Sequence, residues 1–233
     1  MNIFITGANR GLGYALVQKG LIEGHRIFAG VRTLDSTSGK ELIKQMETTD
    51  QLIVLQVDVT NEDSVVHAKE KILAHSGSLD VIINNAGTLL EVESEIEELD
   101  IEACRQSFDV NTLGPLRVIK HLLPLLKKGS QPSILNISSD AGSLTNANGG
   151  NYPYGMSKAA LNMLGEKLDR SLKEEDIQVL SIHPGWLRTD MGGQKAALDP
   201  MEPTDGIFRM LERKIHVSEG SRFVDFKGNK MNV

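Results

Sequence analysis

The sequence predicts a single doubly wound α/β domain over residues 1–233, with a mostly parallel sheet flanked by helices. Three observations carry this. Short, near-continuous apolar runs such as Leu52-Ile53-Val54-Leu55 and Val81-Ile82-Ile83 suit strands buried on both faces. Longer amphipathic segments separate these runs, and no Pro- or Ser-rich linker or internal repeat interrupts the alternation. The distinctive glycine and polar residues follow the apolar runs, where open parallel sheets bind ligands beyond the carboxyl ends of their strands.

In chain order, the apolar run at 2–6 predicts the first strand, entered at once from the N-terminus. A helix over 12–23 follows, because Leu12, Ala15, Leu16, Lys19 and Gly20 place mainly apolar residues at helical spacing. The same reasoning predicts strands at 26–31, 52–57, 79–84, 132–138 and 177–183, with helices at 40–48, 61–75, 100–127 and 154–174 between them. The regularity then fades. Residues 186–205 contain Gly192-Gly193 and two prolines, which predict a mobile loop over the substrate; residues 222–226 read as a last short strand.

Composition narrows the function. With 40% hydrophobic and 24% charged residues, 22 Gly and 7 Pro, the chain is neither collagen-like, mucin-like nor disordered. No apolar run approaches the ~18 residues of a membrane span. The single cysteine, Cys104, cannot form an internal disulfide, and no basic leader is visible, so a cytoplasmic location is expected. The net charge is −6, and seven of the 31 acids fall within residues 91–102, which leaves the remainder close to neutral. Without a basic field a nucleic-acid partner is not expected. The acidic stretch reads as a solvated loop running into a helix N-terminus, whose dipole favours anions. The six histidines show no metal-ligand spacing, and no metal is expected.

The turn Thr6-Gly7-Ala8-Asn9-Arg10-Gly11-Leu12-Gly13 follows the first strand and opens a helix. Glycines in that place allow a tight turn, close backbone approach to a pyrophosphate, and close helix packing. The spacing is Gly-x-x-x-Gly-x-Gly, and its position between strand and helix favours a dinucleotide over a bare turn. An acid at the end of the second strand would bind the ribose 2′-hydroxyl. Arg32 stands there instead, with Arg10 in the glycine turn and the nearest acid at Asp35. Two guanidinium groups suit a 2′-phosphate, so NADP(H) is expected over NAD(H).

Tyr154 and Lys158 stand at i and i+4 on one helical face, whereas Tyr152 has Met156 at that spacing. A phenol near pKa ~10 is a poor acid or base at neutral pH unless a cation stabilises its anion. An ammonium ~4 Å away at an effective dielectric of ~20 supplies about 4 kcal/mol, roughly three pKa units. Lys158, helped by an oxidised nicotinamide, would then bring Tyr154 to about 7. Ser139 ends the fifth strand fifteen residues before Tyr154, with Ser138 as the alternative bearer of a carbonyl-binding hydroxyl. Asn84-Asn85-Ala86-Gly87 ends the fourth strand with small polar groups suited to a floor beneath a cofactor. Asn111, inside a helical segment, reads on its own as a solvated break. Trp186 suits a pocket wall or plain packing; Met191, Met201 and Met210 suit a pliable lid or core filler.

Together these motifs resemble the short-chain dehydrogenase/reductase family over nearly the whole chain. Thr6–Gly13 resembles its cofactor glycine motif, Asn84–Gly87 its Asn-Asn-Ala-Gly motif, and Tyr154 with Lys158 its catalytic pair. Pro184-Gly185 with Thr189 resembles its Pro-Gly motif. Within the family, residues 183–193 and 220–228 resemble the C-factor/sniffer-like NADPH carbonyl reductases. The resemblance implies a Rossmann-type fold and a carbonyl or alcohol substrate. It implies that Tyr154 donates a proton to the carbonyl oxygen, Lys158 binds the nicotinamide ribose, Ser139 polarises the carbonyl, and Asn111 holds a relay water. Asp58 with Val59 would meet the adenine, Asn85, Ala86 and Gly87 the adenosine ribose side, and Pro184, Gly185 and Thr189 the nicotinamide. Gly7, Asn9, Gly11, Leu12 and Gly13 would line the pyrophosphate. A homodimer or homotetramer would use the segments 100–127 and 154–174.

Rival readings are a nucleotide-binding sensor or signalling protein with little turnover, and a nucleotide-sugar epimerase. The complete Ser139, Tyr154 and Lys158 set disfavours the first. The glycine spacing, with no long C-terminal substrate domain in the chain, disfavours the second.

Overall fold

A computed structural model describes residues 1–217 and 220–233. Seven strands form one sheet: β1 (Asn2–Thr6), β2 (Arg26–Val31), β3 (Leu52–Gln56), β4 (Val81–Asn84), β5 (Ser133–Ile137), β6 (Gln178–His183) and β7 (Phe223–Asp225). Their order is β3-β2-β1-β4-β5-β6-β7, and every pairing is parallel, so the expected mostly parallel sheet is wholly so. The order reverses between β1 and β4, which opens a crevice at their carboxyl ends.

Alternation along the strands divides the core. Ile3, Ile5 and Ile27 pack on one face with Leu12 and Leu16 of α1 (Gly11–Ile22) and Leu42 of α2 (Thr37–Met46). Phe4 and Phe28 pack on the other with Val65 and Ile72 of α3 (Glu62–Ser76). Burying both faces accounts for the unbroken apolar runs.

The segment expected as one helix over 100–127 is interrupted. α4 (Ile101–Phe108) passes into a π-helical turn over Asp109–Leu113 before α5 (Gly114–Leu126). The cause is local: Pro115 has no N–H for the carbonyl of Asn111 four residues earlier, and the Gly114 N–H bonds the carbonyl of Asp109 instead. The acidic stretch is a loop with a short 3₁₀ turn at Ile96–Glu98, leading into α4, where the Asp100 carboxylate accepts the Glu102 N–H at 2.8 Å.

α6 (Tyr152–Ser171) begins two residues before the expected start, with Pro153 in its first turn. The loop expected over 186–205 stops short, because α7 (Glu202–Leu211) takes its last residues. Pro203 in the first turn and Ile207, Phe208, Met210 and Leu211 on one buried face were the signals for that helix. No helix among the described residues is long and apolar enough to cross a membrane.

Candidate active site

The first β–α turn is built so tightly that only glycine fits. A Cβ on Gly13 would lie 2.1 Å from the Gly7 carbonyl oxygen, and Gly7 sits at φ +64° against the Ala86 backbone. Asn85 braces the turn: its Nδ2 donates to the carbonyls of Thr6 and Gly7 at 2.9 and 3.0 Å, and its backbone N–H donates to Thr6 Oγ1 at 3.0 Å. The Nδ2 and backbone N–H groups of Asn85 are therefore spent on the cradle. The Ala86 N–H also bonds Thr6 Oγ1. Asn84 is buried and donates to Asn136 Oδ1 at 2.9 Å, so it belongs to the sheet interior and not to an exposed floor. The first turn of α1, with Gly11 at φ +52° and Leu12 anchored in the core, has no acidic residue that would repel a phosphate.

Beside this cradle, Asn9 Nδ2 donates to Ser38 Oγ at 2.9 Å. Arg32 is exposed at the end of β2. Arg10 reaches across to Asp190, 2.9 Å away, with both side chains largely in solvent. A pair so exposed contributes little, so exchanging Asp190 for a phosphate costs little. The Thr189 side chain packs over Gly11, 3.0 Å from where a Cβ would stand, bringing the loop after β6 onto the cradle. Gly185, at φ +86°, turns the chain there after Pro184, and a Cβ on it would meet Leu198. Asp58 holds its own turn through Oδ1, which accepts the backbone N–H and hydroxyl of Thr60. Val59 is buried against Gly114, and its carbonyl accepts from Arg117. Gly87 stands between Asn111 and Lys158.

The reactive cluster lies at the carboxyl ends of β5 and β6. The two serines diverge, as successive residues of an extended chain must. Ser138 Oγ is buried and bonds Asn162 Oδ1 of α6 at 2.6 Å. Ser139 Oγ, beside Tyr154, donates to Asp140 Oδ1 at 2.9 Å and accepts the Ala141 N–H at 3.2 Å. Tyr154, in the first turn of α6, is half-buried, and desolvation pushes its phenol above the ordinary value; the nearby Ser139 hydroxyl opposes this and the Asp140 charge adds to it. Lys158, one turn further on, lies 5.5 Å from the Tyr154 ring centroid, and its Nζ donates to the Ile137 carbonyl at 2.7 Å. Burial lowers its ammonium to about 8. The Tyr154 pKa near 7 expected from the Tyr154–Lys158 spacing is thus not a property of the protein alone. The ammonium is held on a strand carbonyl, and desolvation dominates the phenol.

Asn111 is fully buried and is not the solvated break that its position in a helical segment suggested. Its Oδ1 accepts the Thr88 N–H at 2.8 Å, and its Nδ2 donates to the Thr88 carbonyl and Ser157 Oγ, both at 2.9 Å. The side chain is committed to tying the loop after β4 to α6. Its main-chain carbonyl is the one that Pro115 leaves without an α-helical donor.

Sequence reasoning passed over two neighbours of this cluster. Asp140 is the first residue of the short turn that Ser139 caps after β5; its Oδ1 also accepts the Ala141 N–H at 3.0 Å, and His183 Nδ1 accepts the Asp140 N–H at 3.2 Å. Only the fold brings His183 to Asp140, so no spacing pointed to the pair. Trp186 stands exposed near the opening, its Nε1 donating to the Gly192 carbonyl at 2.8 Å, while Met210 is core and Met191 and Met201 are exposed. Glu23, His25 and Glu212 bring possible ligand atoms within 4.8 Å of one another at the opposite end of the strands. The ammonium groups of Lys19 and Lys214 already pair with those two glutamates. A groove of about 830 Å³ along the free edge of β3, lined by Ile53, Val54, His67 and Lys71 among others, includes none of the residues singled out above.

Comparison with known proteins agrees with this geometry. The family model described as short chain dehydrogenase matches residues 1–199. The C-signal protein of Myxococcus xanthus is 36% identical over 157 residues, which cover 67% of this chain and 93% of that protein. The carbonyl reductase Sniffer of D. melanogaster superposes with a TM-score of 0.91 at 31% identity, covering 100% of this chain and 99% of the other. The NADPH-bound carbonyl reductase from chicken fatty liver superposes with a TM-score of 0.89 at 29% identity, covering 100% and 98%. A glycine cradle, a Ser139–Tyr154–Lys158 cluster and a wholly parallel sheet are thus accompanied by a family match over most of the sequence, and the chain belongs to the short-chain dehydrogenase family of oxidoreductases.

Proposed function

We infer that the protein is an NADPH-dependent oxidoreductase that reduces a ketone or aldehyde, or oxidises the corresponding alcohol. The observation that carries this is the meeting of Ser139, Tyr154 and Lys158 at the same strand edge as the Gly7–Gly13 cradle. Reduced nicotinamide supplies the hydride that the carbonyl carbon receives. Ser139, turning its O–H from Asp140, donates to the carbonyl oxygen and polarises it. Tyr154 gives its phenolic proton to that oxygen as negative charge develops. A phenol whose burial holds its pKa up stays protonated at neutral pH, ready to act as the acid. Lys158 leaves the Ile137 carbonyl for the ribose hydroxyls and stabilises the phenolate that remains. The main-chain carbonyl of Asn111, which Pro115 leaves without an α-helical donor, holds the water that returns a proton.

Arg32 and Arg10 receive the 2′-phosphate, Asp58 and Val59 the adenine, and the backbone of Asn85, Ala86 and Gly87 the adenosine ribose side. Gly7, Asn9, Gly11, Leu12 and Gly13 carry the pyrophosphate, and Pro184, Gly185 and Thr189 the nicotinamide. Residues 186–201 form the substrate loop, and the working location is the cytoplasm.

A second reading, a nucleotide-binding signalling protein with little turnover, draws on the likeness to the protein named C-signal. Following NADPH absorbance against a panel of aldehydes, ketones, quinones and keto esters separates the two. Oxidation of NADPH with at least one class is expected. Tight NADPH binding with no turnover on any of them would favour the signalling reading.

A further inference from the structure

Asp140 follows Ser139 directly and accepts the Ser139 hydroxyl at 2.9 Å through Oδ1, and its charge reaches the neighbouring Tyr154 phenol. Its carboxylate thus lies one hydrogen bond from the hydroxyl that polarises the substrate carbonyl in the reading above. The Asp140 side chain is largely exposed, at 64%, so it is open to an incoming ligand and not sealed in the protein.

Among the described residues, the basic group paired with Asp140 is His183, with Nδ1 at 3.7 Å from Oδ1. That ring is held neutral, because burial pulls its pKa below the ordinary value despite Asp140 and Asp225, and Nδ1 is already accepting the Asp140 N–H. Lys158 donates to the Ile137 carbonyl and, in the reading above, turns to the cofactor ribose, not to Asp140. Arg10 is spent on Asp190, and Arg188 on the carbonyls of Ala196 and Ala197. The loop whose Val92 carbonyl approaches Gly150, just before α6, adds Glu91, Glu93 and Glu95 and no base.

We propose that Asp140 is a specificity-determining residue of the substrate pocket, selecting uncharged or cationic carbonyl compounds and rejecting those that carry a carboxylate close to the reacting carbonyl. The proposal rests on the oxidoreductase reading above. A substrate carboxylate would be brought within a few ångströms of Asp140, where like charges repel. A neutral substrate meets no such opposition.

The test compares para-formylbenzoate with its methyl ester as substrates of the full chain with NADPH. Wild type is expected to favour the ester by at least ~10-fold in kcat/KM. Asp140→Asn keeps an oxygen that can accept the Ala141 N–H but removes the charge, and should raise the carboxylate-to-ester ratio by at least ~10-fold. Asp140→Glu should leave that ratio within about threefold of wild type. The ratio is insensitive to damage that slows both substrates alike, so a purely structural role would not move it. An equal preference in wild type, or a ratio unchanged in Asp140→Asn, overturns the proposal. If wild type reduces neither aldehyde, the NADPH panel described above decides the oxidoreductase reading. Calorimetric binding of benzoate and benzamide to the NADP⁺-containing mixture then reads charge selection on its own. Tighter benzamide binding in wild type and not in Asp140→Asn upholds the proposal, and equal preference in both proteins overturns it.

Discussion

Replacing Lys158 by Met should stabilise the cofactor-free protein while removing its activity. The ammonium is fully buried and lowered from 10.5 to about 8 by desolvation. At ~1.4 kcal/mol per pKa unit, holding it charged at neutral pH costs the folded state about 3 kcal/mol. Met fills a similar volume without the charge. The loss is the bond from Nζ to the Ile137 carbonyl, and an unpaired buried carbonyl costs about 1–2 kcal/mol. The net expectation is about 1–2 kcal/mol of added stability, or ~3–6 °C in Tm for a domain of this size.

The pH dependence supplies an independent check. Because the folded pKa lies below the unfolded one, the penalty is fully present below pH about 8 and is relieved as the pH rises through 8 to 10.5. Wild type should therefore gain stability across that window relative to Lys158→Met. NADPH should reverse the order, since it stabilises the protein that binds it better. Urea unfolding with and without cofactor reads all three effects. A cofactor-free variant less stable than wild type at neutral pH, with the same slope up to pH 10.5, would refute the reasoning.

Three further outcomes are expected. NADPH should bind at least ~10-fold more tightly than NADH, about 1.4 kcal/mol, and Arg32→Ala should erase most of that difference in fluorescence titrations. Gly13→Ala should abolish NADPH binding and lower stability by roughly 1–3 kcal/mol, because a Cβ 2.1 Å from the Gly7 carbonyl forces the cradle apart; normal cofactor affinity would contradict the close fit. Light scattering should report a homodimer or homotetramer built on α4, α5 and α6, where Ile101, Leu113, Leu116, Met156 and Met163 are exposed, and a monomer at all concentrations would remove that claim.

The sheet was legible because both of its faces are buried, so strand after strand reads as an apolar run. Boundaries inside the helical segments were less so. Reading 100–127 as one helix overlooked what Pro115 does to the carbonyl of Asn111, and α7 was masked by the glycines and prolines that precede and begin it. In the site, the glycine turn and the Tyr154–Lys158 spacing are local patterns, and a sequence displays local patterns well. What each group bonds to is not local. The sequence shows an Asn-Asn-Ala-Gly motif but not that Asn85 spends its amide on Thr6 and Gly7, while Asn84 faces Asn136. It shows two serines that must point opposite ways and leaves the choice open; that Ser138 is the one facing Asn162 appears only once β5 and α6 are packed. His183 and Asp140 are 43 positions apart and meet only through the β5–β6 pairing.

The central claim is that Tyr154 supplies the proton when a carbonyl is reduced. The most direct measurement is single-turnover oxidation of bound NADPH by a substrate of the wild-type protein, in Tyr154→Phe and, as control, Tyr152→Phe. Tyr152 starts the same helix but has Met156, not a lysine, one turn on. Tyr154→Phe should lose reduction while keeping near-normal NADPH affinity, because the phenolic proton is needed only in the transition state; Tyr152→Phe should keep most of its activity. Full activity in Tyr154→Phe, or loss in Tyr152→Phe alone, would contradict the account.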